Sequence, residues 1–389
     1  MRAGWRTGQL GDFFEVVTGG TPSKAKKEMY GNYMPLVKPP ELTGAGVQSS
    51  EDFLSKAGAA ASRILPVGSV LVSCIGNLGK VGISKIELAT NQQINAIKPN
   101  AEKALPEFVF YLVQAPYFSD QLRKLASGTT VPIVNKSKFK NILVALPPLA
   151  EQKRIVAILD EAFAGIDTAI ANTEKNLANA RELFESYLNS VFSQRGEGWV
   201  KKPLGECFRL RSGDGLTSKQ MRPGEFPVFG GNGIAGRHDQ SNLSGSNVII
   251  GRVGALCGNA RHINEAIWLT DNAFKVVEKR YSIDDQFLVY LLNAHNLRRY
   301  ARQAAQPVIS NSSLKEIDLN FPESESQQRQ IVEQLDELEK EIRRIESVYQ
   351  QKLTSLAELK QSLLQKAFSG ELTADKVVSN SAMKEENVA

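Results

Sequence analysis

The side chains that usually carry catalysis are few in this sequence and poorly spaced for it. The three histidines, His238, His262 and His295, lack metal-ligand spacing and suit structural or phosphate-facing positions. Cys74, Cys207 and Cys257 are far apart and odd in number, so they build neither a disulfide framework nor a Cys-x-x-Cys knuckle. Gly76-Asn77-Leu78-Gly79-Lys80 lacks the spacing and the hydroxyl of a phosphate-binding P-loop. No Asn-Pro-Pro-Tyr or Asp-Pro-Pro-Tyr run for amino-methyl transfer occurs. Glu337-Leu338-Glu339-Lys340 looks like part of a nuclease motif, but it lies in a helical stretch without a companion carboxylate. Side chains with paired donors and acceptors are plentiful instead, set among glycine-rich turns. Arg or Lys matches the edge of guanine, and Asn or Gln that of adenine. Lysines favour phosphates over bases. The candidates in the first part of the chain are Thr21, Ser23, Lys24, Lys38, Asn77, Lys80, Gln92, Thr129 and Lys136. In the second part they are Arg211, Lys219, Asn232, Arg237, Arg252, Arg261, Asn272 and Asn311.

An internal repeat must position these residues. Trp5 opens a stretch ending Leu10-Gly11-Asp12-Phe13-Phe14, and Trp199 opens one ending Leu204-Gly205-Glu206-Cys207-Phe208. Pro132-Ile133-Val134 is echoed by Pro307-Val308-Ile309. Glu151-Gln152-Lys153-Arg154-Ile155-Val156 is echoed by Gln327-Gln328-Arg329-Gln330-Ile331-Val332. The offset is 194 at the tryptophans and 176 at the later motif, so the second copy is shorter in its middle. Two copies are too few for a solenoid and suit a duplicated module.

Each copy begins with a head, residues 1–148 and 196–322, rich in Gly, Pro, Asn and β-branched residues. Val70-Leu71-Val72 and Val248-Ile249-Ile250 read as strands bounded by glycine. Gly76–Gly79 and Gly230–Gly233 read as turns. Phe108-Val109-Phe110-Tyr111-Leu112 and Phe287-Leu288-Val289-Tyr290-Leu291 read as packed helix, which makes each head α+β.

Long helices follow, over 149–195 and 323–372, with a polar, mobile tail expected at 373–389. Apolar or small residues recur in steps of four and three at Ile155, Leu159, Ala162, Ile166, Ala169 and Thr173, then at Leu177, Ala180, Phe184, Tyr187 and Val191. The second copy gives Ile331, Leu335, Leu338, Ile342, Ile345 and Tyr349, then Leu353, Leu356, Lys360, Leu363 and Ala367. This is a coiled-coil seam. Both copies contain a stutter of two successive four-residue steps, which predicts that the helices pair with each other. Chain order makes that pair antiparallel, with the heads at its two ends and related by a pseudo-two-fold. Residues 149–192 at ~1.5 Å each give a spacer of roughly 65 Å.

Charge follows the same division. The heads carry net +7 (1–148) and +4 (196–322), the helical segments −2 (149–195) and −3 (323–372). A basic head favours a polyanion, because binding phosphates releases counterions. Acidic helices suit a protein partner or solvent. No apolar run approaches the ~20 residues of a membrane span. Met1-Arg2-Ala3-Gly4-Trp5-Arg6 has no secretory apolar region, so a reducing cytoplasm with buried thiols is expected.

The order head, long helix, head, long helix resembles the specificity subunit of type I restriction-modification systems, over residues 1 to about 372. Gly19-Gly20-Thr21-Pro22-Ser23-Lys24, Ile75-Gly76 with Gly79-Lys80-Val81-Gly82, and Asn91-Gln92-Gln93-Ile94-Asn95-Ala96-Ile97 are similar to that family. Pro147-Pro148-Leu149 leading into Glu151–Val156, repeated as Pro322 through Val332, is the most specific resemblance. The second head departs from the pattern. It has Ser212-Gly213-Asp214-Gly215-Leu216 in place of the first loop, and Asp271-Asn272 in place of the Gln-Gln pair. The resemblance implies two target recognition domains, each reading half of a bipartite duplex DNA site. It also implies paired helices that set the gap and dock two modification subunits. Those subunits bind S-adenosylmethionine and methylate adenine, and restriction subunits add ATP-driven cleavage. The chain itself then needs no cofactor, metal or active site. Two other readings stand beside it: a methyltransferase-type enzyme with an unrecognised motif, and a coiled-coil scaffold that binds only proteins.

Overall fold

The computed structural model describes residues 4–128, 130–193, 196–302 and 306–374. The chain packs as two compact units, Met1–Asn172 with Lys352–Ala389, and Thr173–Gln351. Each unit is one α+β head plus one half of each long helix. Packing therefore divides the chain midway along both helices, whereas composition changes at their ends.

In the first unit, β1 (Val16–Thr18), β2 (Gly46–Val47), β3 (Val70–Ser73), β4 (Val81–Ser84) and β5 (Ile94–Ile97) form a sheet of order β1-β5-β3-β4-β2. Both faces of β3 are covered, so Val-Leu-Val-Ser is buried throughout and reads as a continuous apolar run. Helix α1 (Pro106–Leu112) packs across this sheet through Phe108 and Leu112, both fully buried. In the second unit, β6 (Arg209–Ser212), β7 (Asn247–Gly251), β8 (Ala260–Ile263) and β9 (Ala273–Val277) repeat the order as β6-β9-β7-β8. Each head adds a three-stranded sheet. One is Phe53–Leu54, Tyr30–Val37 and Ala89–Thr90, and the other is Gly233–His238, Phe226–Gly230 and Trp268–Leu269.

Both glycine clusters are turns, but they join different strands. Gly76 and Gly79, at φ +75° and +82°, close the turn after β3. Their counterparts after β7 are Gly254 and Gly258, at φ +93° and +92°. Gly230–Gly233 instead closes a hairpin in the second head's smaller sheet. Both are positive-φ turns in glycine-rich sequence, and the sequence alone does not tell them apart.

The long helices are α2 (Leu149–Ser193) and α4 (Glu325–Ser369), each of 45 residues. The head helix of the second unit, α3 (Asp285–Ala294), precedes α4 in the chain. Within the first unit, Lys360 of α4 pairs with Asp167 of α2 and lies 5.1 Å over the Phe163 ring. Farther along, Thr373 hydrogen-bonds Glu151, so one helix descends as the other rises. Within the second unit, Arg181 Nε meets Glu346 Oε1 at 2.6 Å, and Leu188 and Phe192 share a core with Leu335. The pairing is antiparallel in both units, as the seam predicts.

Of the seam residues, Ile155, Leu159, Ile166, Leu335 and Ile342 are buried, and Leu177, Phe184, Ile331, Leu338, Leu353 and Leu356 are half-buried. Two seam expectations fail. Tyr187 and Ile345 are both 38 % exposed. Next to the heads Leu188, Phe192, Leu364 and Phe368, which lie off the seam, are buried as well as seam residue Ala367. Near Tyr187 the cause is the head itself, which covers a neighbouring helix face: Phe192 meets Phe287 edge-on with centroids 5.4 Å apart, as Phe368 meets Phe108 at 5.2 Å. Ile155 and Leu159 likewise belong to the core of the first head. Of the expected tail, Thr373 is buried, and 375–389 lie outside the described residues.

Candidate nucleic-acid interface

After β1 the first head's chain passes tightly against the Ala89–Thr90 strand. A Cβ at Gly19 would stand 2.2 Å from the carbonyl oxygens of Thr90 and Asn91, so only glycine fits. Gly20 then donates its N–H to Thr90 O at 2.8 Å. This path presents Thr21, whose Oγ1 donates to Gln92 Oε1 at 2.8 Å, bringing two candidates together. Buried Asn91 braces the same loop by accepting from Gln93 N–H (3.1 Å) and donating to Gln93 Oε1 (2.9 Å). Asn77 is exposed on the glycine turn, which Ser73 Oγ pins by donating to Asn77 O at 2.6 Å. Bridges from Ile133 to Ile75 and to Ser127 set the 127–134 segment beside that turn. Thr129, within it, lies outside the described residues.

Lys136 is exposed and opens the short helix Lys136–Lys140, capped by the Asn135 side chain, which accepts from Lys138 N–H at 2.9 Å. Ser23 and Lys24 are exposed on the loop that also carries Lys26 and Lys27. Half-buried Lys80 lies apart from that loop, in a pocket with Gln114, Asp120 and Arg123. Lys38 is ion-paired with Asp52, and its hydrogen bond to that carboxylate raises its pKa. Its charge is already balanced inside the protein.

The second head follows the same backbone path with other side chains. A Cβ at Gly213 would stand 2.1 Å from Leu269 O, the counterpart of the clash at Gly19. The Ser-Gly-Asp-Gly-Leu loop therefore makes the same crossing as the Gly-Thr-Pro-Ser loop and changes only its chemistry. Backbone bonds fix the other equivalences. Cys74 N–H donates to Gln93 O (2.7 Å) where Arg252 N–H donates to Asn272 O (2.9 Å). Val134 N–H donates to Cys74 O (2.8 Å) where Ile309 N–H donates to Arg252 O (2.9 Å).

At this shared position the first head is closed. Cys74 is buried, and Asn95 accepts from Thr18 Oγ1 at 2.6 Å and donates to Val134 O at 3.3 Å. The second head places an arginine there. Arg252 lies 5.3 Å over the Phe274 ring, and its Nη1 makes long bonds to Asp271 O (3.3 Å) and Ser212 Oγ (3.5 Å). Its Nε is buried without a hydrogen-bond partner. The Arg261 guanidinium lies against Gly233, 2.8 Å from where a Cβ would stand. Arg211, Lys219 and Asn272 are exposed. The other three candidates bond backbone. Asn232 Oδ1 accepts from Leu256 N–H (3.0 Å), Asn311 Nδ2 donates to Leu210 O (3.3 Å), and Arg237 Nη1 donates to Glu225 O (2.5 Å).

Sequence reasoning missed the residues that fix each head to its helix. Gln152, fully buried, accepts from Leu105 N–H (2.9 Å) and donates to Lys103 O (3.0 Å) and Pro147 O (2.9 Å). Gln328, also fully buried, accepts from Asp284 N–H (2.8 Å) and donates to Ser282 O (3.0 Å) and Pro322 O (2.9 Å). Tyr111 donates to Asp160 at 2.5 Å and Tyr290 to Asp336 at 2.6 Å. The signal was present: glutamine is the second residue of both copies of the repeated motif, and a surface residue would not need to be.

Two of the histidines sit in hydrogen-bonded networks and the third is half-buried. His238 Nδ1 accepts from Arg222 N–H at 3.1 Å, and its ring meets Trp268 edge-on. His295 is half-buried, and burial lowers its pKa. His262, Ser246 and Asp285 come together, but not in the order that activates a serine. Ser246 Oγ donates to Asp285 Oδ2 at 2.5 Å, so His262 Nε2, 2.8 Å from Ser246 Oγ, donates to the serine. A nucleophilic serine needs the reverse. Burial pushes the Cys74 thiol up to about 12 and Cys207 up to about 11, and all three cysteines are buried and unpaired. Such thiols are inert at neutral pH. Among the described residues no group of three or more His, Cys, Asp or Glu is placed to hold a metal, and no helix is long and apolar enough to cross a membrane.

One α+β head built twice, with the same glycine-set rim carrying different polar side chains, defines a duplicated recognition module on paired helices. The chain matches the model of the type I restriction modification DNA specificity domain twice, over residues 2–179 and 196–354, and it belongs to that family. It is 28% identical to the EcoprrI specificity subunit of Escherichia coli, over 82% of this chain and 84% of that protein. Over 46% of the chain and 40% of the relative, it is 33% identical to the HindI specificity subunit of Haemophilus influenzae. Its fold is similar to a chain from a solved type I restriction-modification assembly, with a TM-score of 0.80 at 22% identity, covering 95% of this chain and 99% of that one. The HsdS subunit of Thermoanaerobacter tengcongensis gives a TM-score of 0.57 at 21% identity, covering 96% and 98%.

Proposed function

We propose that the chain is the non-catalytic, sequence-reading subunit of a type I restriction-modification complex. Each head reads one half of a bipartite duplex site. Helices α2 and α4 set the gap and dock two modification subunits. Those subunits bring S-adenosylmethionine and the methyl transfer, and restriction subunits, where they join, bring ATP-driven cleavage. The chain needs no cofactor of its own and works in a reducing cytoplasm, which suits its unpaired thiols. The observation that carries this reading is the shared rim. Gly19 and Gly213 hold the same backbone path, while the residues along it change from Gly20, Gln92 and Cys74 to Asp214, Asp271 and Arg252. One scaffold with two polar surfaces is what reading two different sequences requires.

Replacing residues 1–148 by another head, in cells carrying the modification subunit, tests it. Methylome sequencing is expected to show one half of a split methylated motif change while the other half stays. A change in both halves, or in neither, would sink the modular reading. Binding of S-adenosylmethionine to the isolated chain would instead favour an enzyme.

A further inference from the structure

The paired helices leave an apolar residue exposed in each unit, but three glutamates flank it in the second unit and one of their three counterparts is acidic in the first. In the second unit Leu183, Tyr187 and Leu338 line an open groove of about 650 Å³. Leu183 is 59 % exposed, and Tyr187 is the residue that the seam failed to bury. Glu333, Glu337 and Glu341 run along the same groove, four residues apart on α4. Like charges at that spacing repel and weaken a helix. The nearest cations relieve them only weakly, since Lys340–Glu337 and Arg344–Glu341 are exposed pairs at 3.8 and 3.9 Å. At the repeat offset of 176, the counterparts in the first unit are Ala157, Glu161 and Gly165 for the three glutamates. Leu359, 47 % exposed, stands for Leu183, and Ala162 for Leu338. The first unit thus keeps an exposed leucine, with half-buried Leu363 for Tyr187 and a small residue for Leu338, and two of the three glutamates are not kept.

We propose that the two helix faces are electrostatically unequal docking sites for the same partner, a modification subunit that presents apolar side chains flanked by Lys or Arg. This rests on the docking role given above. An exposed apolar stripe with a charged rim is the anatomy of an interface, and the charge of the rim selects its complement. Two identical partner subunits present one surface to both faces, so a basic flank matches the second unit's face better. That face fills first at low salt and loses its advantage as salt screens it. The first unit's face binds through Leu359 and through the close approach that Ala157 and Gly165 allow, and it is nearly indifferent to salt.

The test titrates the full chain with its modification subunit and reads both association steps by native mass spectrometry and sedimentation. Salt is set at about 0.1 and 1 M, where screening lengths are roughly 10 and 3 Å. One step is expected to weaken about tenfold between these conditions, as a few exposed charge pairs allow, and the other less than about twofold. Glu333→Gln with Glu341→Gln should flatten the steep step alone. Leu359→Ala should weaken the salt-insensitive step and leave the slope of the other unchanged. All three positions are exposed, so folding is not at stake. Equal salt slopes for the two steps, or slopes untouched by the double glutamine variant, would overturn the inequality while leaving docking intact. If no modification subunit binds at either salt, the docking role itself is wrong.

Discussion

Gln152 and Gln328 each bond one backbone N–H and two backbone carbonyls from inside a fully buried site. A buried amide hydrogen left without an acceptor costs roughly 1–3 kcal/mol, and the stranded carbonyls add to that. Gln152→Leu is therefore expected to destabilise the first unit by about 3 kcal/mol and to loosen the start of α2. Gln328→Leu should do the same for the second unit and α4. Hydrogen exchange should show lost protection at Leu105 in one variant and Asp284 in the other, and protection retained at both would refute the role. Asp285 belongs to the same scale. Burial works against its charged form, but hydrogen bonds from Lys279 and Ser246 outweigh that and hold its pKa below the usual carboxylate value. A depressed folded-state pKa stabilises the fold above the unfolded value of about 3.9, and the gain is lost as pH falls through the folded value. Asp285→Asn should therefore melt earlier than the natural protein at pH 6, with the gap closing as pH drops below about 4. A gap that stays constant with pH would show that Asp285 acts by packing alone.

At the level of elements, the features legible in the sequence were those with one cause. Val70-Leu71-Val72 and Val248-Ile249-Ile250 are strands because β-branched residues between positive-φ glycines have little else to form. The long helices were legible from their period. Their antiparallel sense followed from chain order, and the pairs Asp167–Lys360 and Arg181–Glu346 bear it out within each unit. A feature with two competing causes was read wrongly. The seam was extended to Tyr187 on helix period alone, yet next to a head the helix face is chosen by Phe287 as well as by the partner helix. Gly230–Gly233 is a turn, as its glycines indicate, but positive φ records nothing of which strands a turn joins.

Across the whole molecule, the basic heads and acidic helices were visible from the sequence, but which side chains of the rim are available was not. Lys38 and Arg211 look alike in sequence, yet one is ion-paired and the other is exposed. Arg252 gave no sign that it occupies the position filled by Cys74 in the other head, because that equivalence lies in backbone bonds between residues far apart in the chain. Charge distribution leads to a separate expectation about DNA. Lys24, Lys26 and Lys27 are exposed on the loop after Gly19–Gly20, and charged side chains there serve phosphates before bases. Each phosphate contact contributes about 0.9 to the slope of log affinity against log salt. Replacing all three lysines by Gln, in the assembled complex, should weaken DNA binding and lower that slope by up to roughly 3. The methylated motif should stay the same, because no base contact has been removed. A changed motif would move these lysines into base reading, and an unchanged slope would place the loop away from the DNA.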